Sequence, residues 1–175
     1  MYRRQLQHVI LEIGLRFDLK DIYIVGSAAI LAAIPDPPEG ELTATRDVDV
    51  IPPRDEEKLA DQISFVLGEA SDFEAEHGYY AQGVTSNTPA YAPTDWKSRT
   101  LDIRVEGTVG HCMDPNDLVL SKLGAGRSKD LTFARAAARL GLIQRGVLLD
   151  RLEHVDCSDQ IRKLIADRIT GAFAA

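Results

Sequence analysis

Asp47 and Asp49, in the run Thr45-Arg46-Asp47-Val48-Asp49-Val50, stand at alternate positions of a short apolar stretch. On a strand, residues i and i+2 share a face, so both carboxylates point one way and Val48 the other. Paired oxygen donors suit magnesium or manganese. Two such ions about 4 Å apart hold a triphosphate and lower the pKa of an attacking hydroxyl. Upstream, Ile24-Val25-Gly26-Ser27 closes another apolar run with a Gly-Ser step. If that step opens a helix, backbone N–H groups and the Ser27 hydroxyl face a phosphate, and Gly26 lets a ligand approach the backbone. Singly, the Asp pair also fits a half-exposed strand of alternating charge, and Gly26-Ser27 an ordinary strand-to-helix turn. Together they point to phosphoryl or nucleotidyl transfer.

The elements that must position these residues are legible from periodicity. Leu6, Val9, Ile10, Ile13 and Phe17 recur at helical spacing, which predicts a helix over 3–16. A strand follows over 22–25, then a buried helix over 27–34 with Ser27 as its N-cap. The Pro35-Asp36-Pro37-Pro38-Glu39-Gly40 stretch forms an exposed loop. A second strand over 47–51 ends at Pro52-Pro53, and a helix over 55–68 buries Leu59, Ile63, Val66 and Leu67. Residues 78–84 read as a strand and 85–93 as a loop. Alternation over 99–105 puts Leu101, Ile103 and Val105 on one side of a strand and Asp102 and Arg104 on the other. Asp114-Pro115 caps a helix that runs to Leu123. Three more helices are expected over 128–140, 145–154 and 158–170, the last with an Ile161, Leu164, Ile165 and Ile169 stripe. The fold class is therefore α/β (α+β): a small mixed sheet with flanking helices, followed by a C-terminal helical bundle. No flexible linker divides the chain, which reads as one domain over 1–175, with a sheet-containing lobe over 1–110 and a helical lobe over 111–175.

The order hydrophobic run, Gly-Ser, helix, Asp-x-Asp resembles the signature of the nucleotidyltransferase superfamily, the polymerase-beta-like fold. The segment from Asp114 through Lys122-Leu123 to Arg127-Ser128-Lys129-Asp130 is similar to the second half of AbiEii/MenT-like nucleotidyltransferase toxins and of a related uncharacterised bacterial nucleotidyltransferase family. His77-Gly-Tyr-Tyr-Ala-Gln-Gly-Val84 and Asp95-Trp96-Lys-Ser-Arg99 resemble that second family too, so the likeness spans roughly residues 22–140. The resemblance implies a nucleotidyltransferase-like fold and a metal-dependent transfer of a nucleoside monophosphate from an NTP to a hydroxyl. It assigns Asp47 and Asp49 to magnesium (or manganese), and Gly26, Ser27 and Lys122 to the phosphates, with Arg127 and Lys129 beside them. Asp130 would complete the catalytic set, as a general base or an orienting carboxylate. Many such enzymes draw a third carboxylate from a later strand. Asp102 is one candidate metal ligand; the strand around Gly78–Val84, which offers only Gln82, is the alternative. In the toxins the acceptor is a tRNA end and a separately encoded antitoxin is the partner; a protein or small-molecule acceptor is equally open.

Composition sets the frame. With 175 residues, 45% of them hydrophobic, the chain can bury one sizeable core. The absence of a long apolar run and of a signal-peptide pattern predicts a cytoplasmic protein with no membrane segment. Cys112 and Cys157 have no metal or redox spacing and read as free thiols. A net charge of −7 argues against indiscriminate nucleic-acid binding. Residues 35–80 carry thirteen acids against three bases, whereas 122–145 carry six bases and only Asp130 as an acid. The basic segment would hold a triphosphate or an RNA backbone, or serve as a solvated helix face. Tyr79, Tyr80, Tyr91 and Trp96 are candidates for stacking on a base, or for packing a loop on the core. The rival to an enzyme is a nucleotide-sensing or protein-binding module on the same fold; a phosphodiester hydrolase using the same metals is a third reading.

Overall fold

The computed structural model describes residues 1–174. Its helices are α1 (Arg3–Phe17), α2 (Glu57–Leu67), α3 (Asp72–His77), α4 (Pro115–Ala125), α5 (Ser128–Arg139), α6 (Arg145–Leu152) and α7 (Asp159–Ala172). Its strands are β1 (Asp21–Val25), β2 (Asp47–Ile51), β3 (Tyr80–Gly83), β4 (Leu101–Val105) and β5 (Thr108–Cys112). The strands form one mixed sheet in the order β3-β2-β1-β5-β4. β1 pairs antiparallel with β2 and parallel with β5, while β2 and β3 are parallel and β4 and β5 antiparallel. The mixed α/β class expected from the sequence is the one found.

Strand alternation divides the sheet. Ile22, Ile24, Val48, Val50 and Cys112 are fully buried and lie on the back, where Ile10 of α1 fits against Gly110 of β5. The register aligns Tyr23 with Ile51 and His111, and Val25 with Asp49, on the front. α2 and α3 flank the β3 edge. The buried apolar side chains form a continuous cluster that runs from α1 through the sheet to Ala172 of α7.

Several boundaries depart from expectation for identifiable reasons. Residues 27–32 form a 3-10 helix rather than an α-helix, with Gly26 rather than Ser27 in the capping position. Its tighter i→i+3 bonds, such as Ala29 N–H to the Gly26 carbonyl, suit a short segment that must stop before Pro35. β5 runs to Cys112, past the 110 boundary expected for the sheet lobe. It is reached through a two-residue turn, Glu106-Gly107, with φ of 47° and 94°, the left-handed pair a tight hairpin needs. The six-residue α3 is also additional; Ser71 caps it by accepting from the Glu74 N–H. In α7, Ile165 and Ile169 are buried as expected, whereas Leu164 stands exposed.

At the start of the helical lobe the local chemistry is as read. Asp114 accepts from the Asn116 N–H, Pro115 occupies the first turn, and the helix ends at Gly126 in the left-handed conformation. Gly124 lies inside α4. No described helix is long and apolar enough to cross a membrane.

Candidate active site

β1 ends at Gly26, where φ is 65°, a region costly for any residue with a Cβ. A Cβ here would also fall 2.0 Å from Oδ2 of Asp49. Glycine is thus required twice, for the turn and for the carboxylate that occupies the space beside it. Sequence reasoning assigned that space to a ligand; in the structure Asp49 fills it, and the two motifs touch directly.

Asp49 is paired across the ladder with Val25, and Asp47 precedes it on the same face. The Thr45 hydroxyl donates to Oδ1 of Asp47. Burial, and then the Asp47 charge, push the Asp49 carboxyl up to about 6, against the pull of Lys122, Lys129 and Arg127. Neither aspartate forms a salt bridge among the described residues. Directly opposite Asp49 on β3 is Gln82, which donates to Ser64 of α2 at 3.1 Å. The strand neighbouring the Asp pair therefore supplies an amide and no third carboxylate.

Asp102 is on the same sheet face but three strands away, roughly 14 Å at ordinary strand spacing. Its Oδ1 lies 2.7 Å from Nδ1 of His111, and its Oδ2 accepts from Arg104 at 2.8 Å. The expectation that Asp102 joins the metal ligands is corrected accordingly: β5 intervenes between β4 and the site, and the carboxylate already has partners.

The cations come from the helical lobe. Lys122 Nζ donates to Ser27 Oγ at 2.8 Å and lies 3.4 Å from Oδ1 of Asp130 and 4.5 Å from the Phe133 ring centroid. Arg127 Nε donates to Oδ2 of Asp130 at 2.6 Å. Asp130 is fully buried. Burial alone would raise its carboxyl, but the bonds from Arg127 and the charge of Lys122 outweigh that and hold it below the ordinary value. Burial lowers the Lys122 ammonium, and Asp130 opposes that shift. Of the two roles expected for Asp130, the geometry supports the orienting one: it is a poor base, and it holds two cations in place. Lys129 has no ion-pair partner among the described residues.

These groups surround a cleft of about 460 Å³, a size suited to a small-molecule ligand. Asp47, Asp49, Ser27, Lys122, Arg127 and Lys129 give it a charged wall. Tyr91, Pro89, Ala90, Met113, Leu118 and Ala125 give it an uncharged one. Leu118, Ser121, Lys122 and Ala125 recur at i, i+3, i+4 and i+7, so a single face of α4 supplies both kinds of surface. A second cavity of about 280 Å³ shares Ser27, Thr45, Asp47, Lys122 and Lys129 with the first, and adds Glu41, Glu69, Glu74 and Tyr80.

Of the four aromatic candidates, only Tyr91 lines the main cleft. Trp96 is buried edge-on to Tyr23, Tyr79 bonds His8, and Tyr80 faces the smaller cavity. Sequence reasoning missed Thr45, although a hydroxyl two residues before an aspartate is a local signal. It also missed Asp117, fully buried between Arg99 and Arg151, for which no local signal exists.

The donor set fits a magnesium-type ion: two carboxylates on a single face, without a protein cation paired to either, beside a cleft in which phosphates can complete the coordination. No cluster of three or more His, Cys, Asp and Glu side chains suited to a metal occurs among the described residues. The five-stranded mixed sheet with flanking helices is consistent with a nucleotidyltransferase-like fold. The chain belongs to the family described as "Nucleotidyltransferase of unknown function (DUF6036)", which matches residues 4–167. Searches of curated proteins and of solved structures returned no match. Family membership supports nucleotidyl transfer as the general activity and a nucleotide as substrate.

Proposed function

We propose that this protein moves a nucleoside monophosphate from an NTP to a hydroxyl acceptor, with magnesium or manganese held by Asp47 and Asp49. The observation that carries the reading is the meeting, in a single cleft, of a carboxylate pair that has no salt-bridge partner among the described residues with three cations, Lys122, Arg127 and Lys129. The acceptor oxygen bonds to the α-phosphorus, the bond to the bridging oxygen breaks, pyrophosphate leaves, and the acceptor proton passes to solvent. A metal bound at the Asp pair would neutralise the triphosphate and favour the ionised acceptor.

The chain's own residues then have separable tasks. Lys122 donates to Ser27 Oγ, which leaves the Ser27 hydroxyl hydrogen for a phosphate oxygen. Lys129 and the exposed Arg127 bring positive charge to the triphosphate. Asp130 positions Lys122 and Arg127. Catalysis of this kind is largely placement and charge neutralisation.

The finer reading is a cytoplasmic toxin that modifies tRNA and is restrained by a separately encoded antitoxin. The motif order supports it. Against a polyanionic acceptor stand Glu41, Glu69 and Glu74 around the smaller cavity. The absence of a third strand carboxylate beside Asp49 favours the second reading, a nucleotide-binding module without turnover.

The test is incubation with magnesium and each labelled NTP in turn, with total RNA, protein extract or small hydroxyl compounds as acceptor, and Asp49→Asn as control. Label transferred by wild type alone supports the enzyme and names base and acceptor. Nucleotide binding without transfer to any acceptor supports the module.

A further inference from the structure

The charged wall of the cleft accounts for a triphosphate, but not for the uncharged wall facing it. That wall centres on Tyr91. A Cβ built on Gly124 would lie 2.2 Å from Cγ of the Tyr91 ring, so the ring rests on the bare backbone of α4. Glycine inside a helix is unfavourable relative to alanine, and here it leaves room for the Tyr91 ring against the helix. Tyr91 lines the same cleft as Lys122 and Arg127, so the ring and the cationic site face one space.

The loop that carries Tyr91 is fastened on both sides. Before it, the Ser86 N–H donates to Asp55 Oδ1 at 2.7 Å. After it, Pro93 forms a β-bridge with Val155, and the Thr94 N–H donates to the His154 carbonyl at 3.0 Å. Further on, Arg99 bonds both Asp95 and the buried Asp117. A ring held this way is placed before any ligand arrives, which limits the entropy lost on binding. Tyr91 packs against the apolar core but is only partly buried, and it also lines the cleft.

We propose that Tyr91, seated on Gly124, is the stacking platform for the base of the nucleotide. This rests on the nucleotidyltransferase reading of the cleft. An aromatic face offers stacking to any base and therefore contributes affinity with little base discrimination.

The experiment compares equilibrium binding of ATP, GTP, CTP and UTP with binding of inorganic tripolyphosphate, all with magnesium. The proteins are wild type, Tyr91→Phe, Tyr91→Leu, Tyr91→Ala and Gly124→Ala, each checked for its melting temperature. Tyr91→Phe is expected to match wild type. Tyr91→Leu keeps apolar bulk without the ring. It and Tyr91→Ala are expected to weaken all four NTPs about tenfold or more, and to leave tripolyphosphate within about twofold. Gly124→Ala, which displaces the ring without touching it chemically, is expected to follow Tyr91→Ala. NTP binding unchanged in Tyr91→Leu and Tyr91→Ala overturns the platform while the triphosphate site stands. Equal losses for NTPs and tripolyphosphate overturn it too, by showing a general collapse of the cleft. A wild type that binds neither ligand overturns the nucleotide reading, and the platform with it.

Discussion

Asp47 and Asp49 on β2, and Asp21 and Asp102 on β1 and β4, lie on the same face of one sheet. In the second pair, the His111 ring sits between the carboxylates, 3.0 Å from Asp21 and 2.7 Å from Asp102, and Arg104 adds a further bond to Asp102. In the first pair no such partner is present: Asp47 has a threonine hydroxyl, Asp49 has the bare backbone of Gly26, and burial with mutual repulsion makes Asp49 reluctant to ionise. Alternating carboxylates on a strand are therefore not informative alone. What separates a structural pair from a reactive one is whether the fold supplies the compensating charge or leaves it to the ligand.

The contrast is broken most severely by activity. Asp49→Asn is expected to reduce nucleotidyl transfer by at least about 10²–10³-fold, the scale of losing one preorganised charge at a reacting phosphate. Asp102→Asn is expected to leave the rate within about twofold. Steady-state rates for the two variants check this, and a comparable loss in Asp102→Asn would put the far pair in the site.

A buried carboxylate that does have its cations gives the next largest effect. Asp117 holds Arg99 and Arg151 together. Asp117→Asn is expected to cost about 3 kcal/mol in urea unfolding, because it removes the buried charge shared by two partly buried guanidinium groups, leaving Arg99 only Asp95 and Arg151 only Asp114. It should loosen the 85–99 loop as well, read as faster proteolysis there.

Asp49, which has no salt-bridge partner among the described residues, is expected to show a stability effect that depends on pH. Its carboxyl binds a proton more tightly in the folded state, at about 6, than in the unfolded chain, near 3.8. Whatever stability this group contributes is present below about pH 4 and is lost as pH rises through 6. Without metal, Asp49→Asn is thus expected to stabilise the protein at pH 8, by up to roughly 3 kcal/mol, with the gain vanishing by pH 4. Urea titrations at the two pH values measure it.

A smaller effect sharpens the role of Asp130. Its charge supports the Lys122 ammonium against burial, so Asp130→Asn lowers the Lys122 pKa further. The alkaline limb of kcat/KM is expected to move to lower pH, and Asp130→Glu to restore it. An acidic limb that disappears instead would return Asp130 to the role of general base.

Much of this was legible because it is local. The α1 periodicity, the strands holding Ile22–Val25 and Asp47–Ile51, and the Asp114-Pro115 cap each depend on neighbouring residues. β5 was not, since Gly110 interrupts its alternation, although Glu106-Gly107 was an available hairpin signal. Gly26 and Ser27 were recognised, but not that Asp49 packs on the one and Lys122 on the other; those contacts join distant segments. Asp102 illustrates the converse. Its alternation was read correctly, and only strand order, which no single strand encodes, removes it from the site. The sequence ends the helix at Leu123, whereas α4 continues through Gly124 to Ala125, because the Tyr91 ring that packs on Gly124 comes from a distant loop.

The central claim is that the positive charge missing around Asp49 would be supplied by a divalent metal that binds together with the nucleotide. The most direct measurement is the melting temperature of wild type and Asp49→Asn at pH 8, first with chelator and then with saturating magnesium and NTP. The account predicts that the variant melts higher in chelator and that wild type melts higher with magnesium and NTP. The same order under both conditions would contradict it.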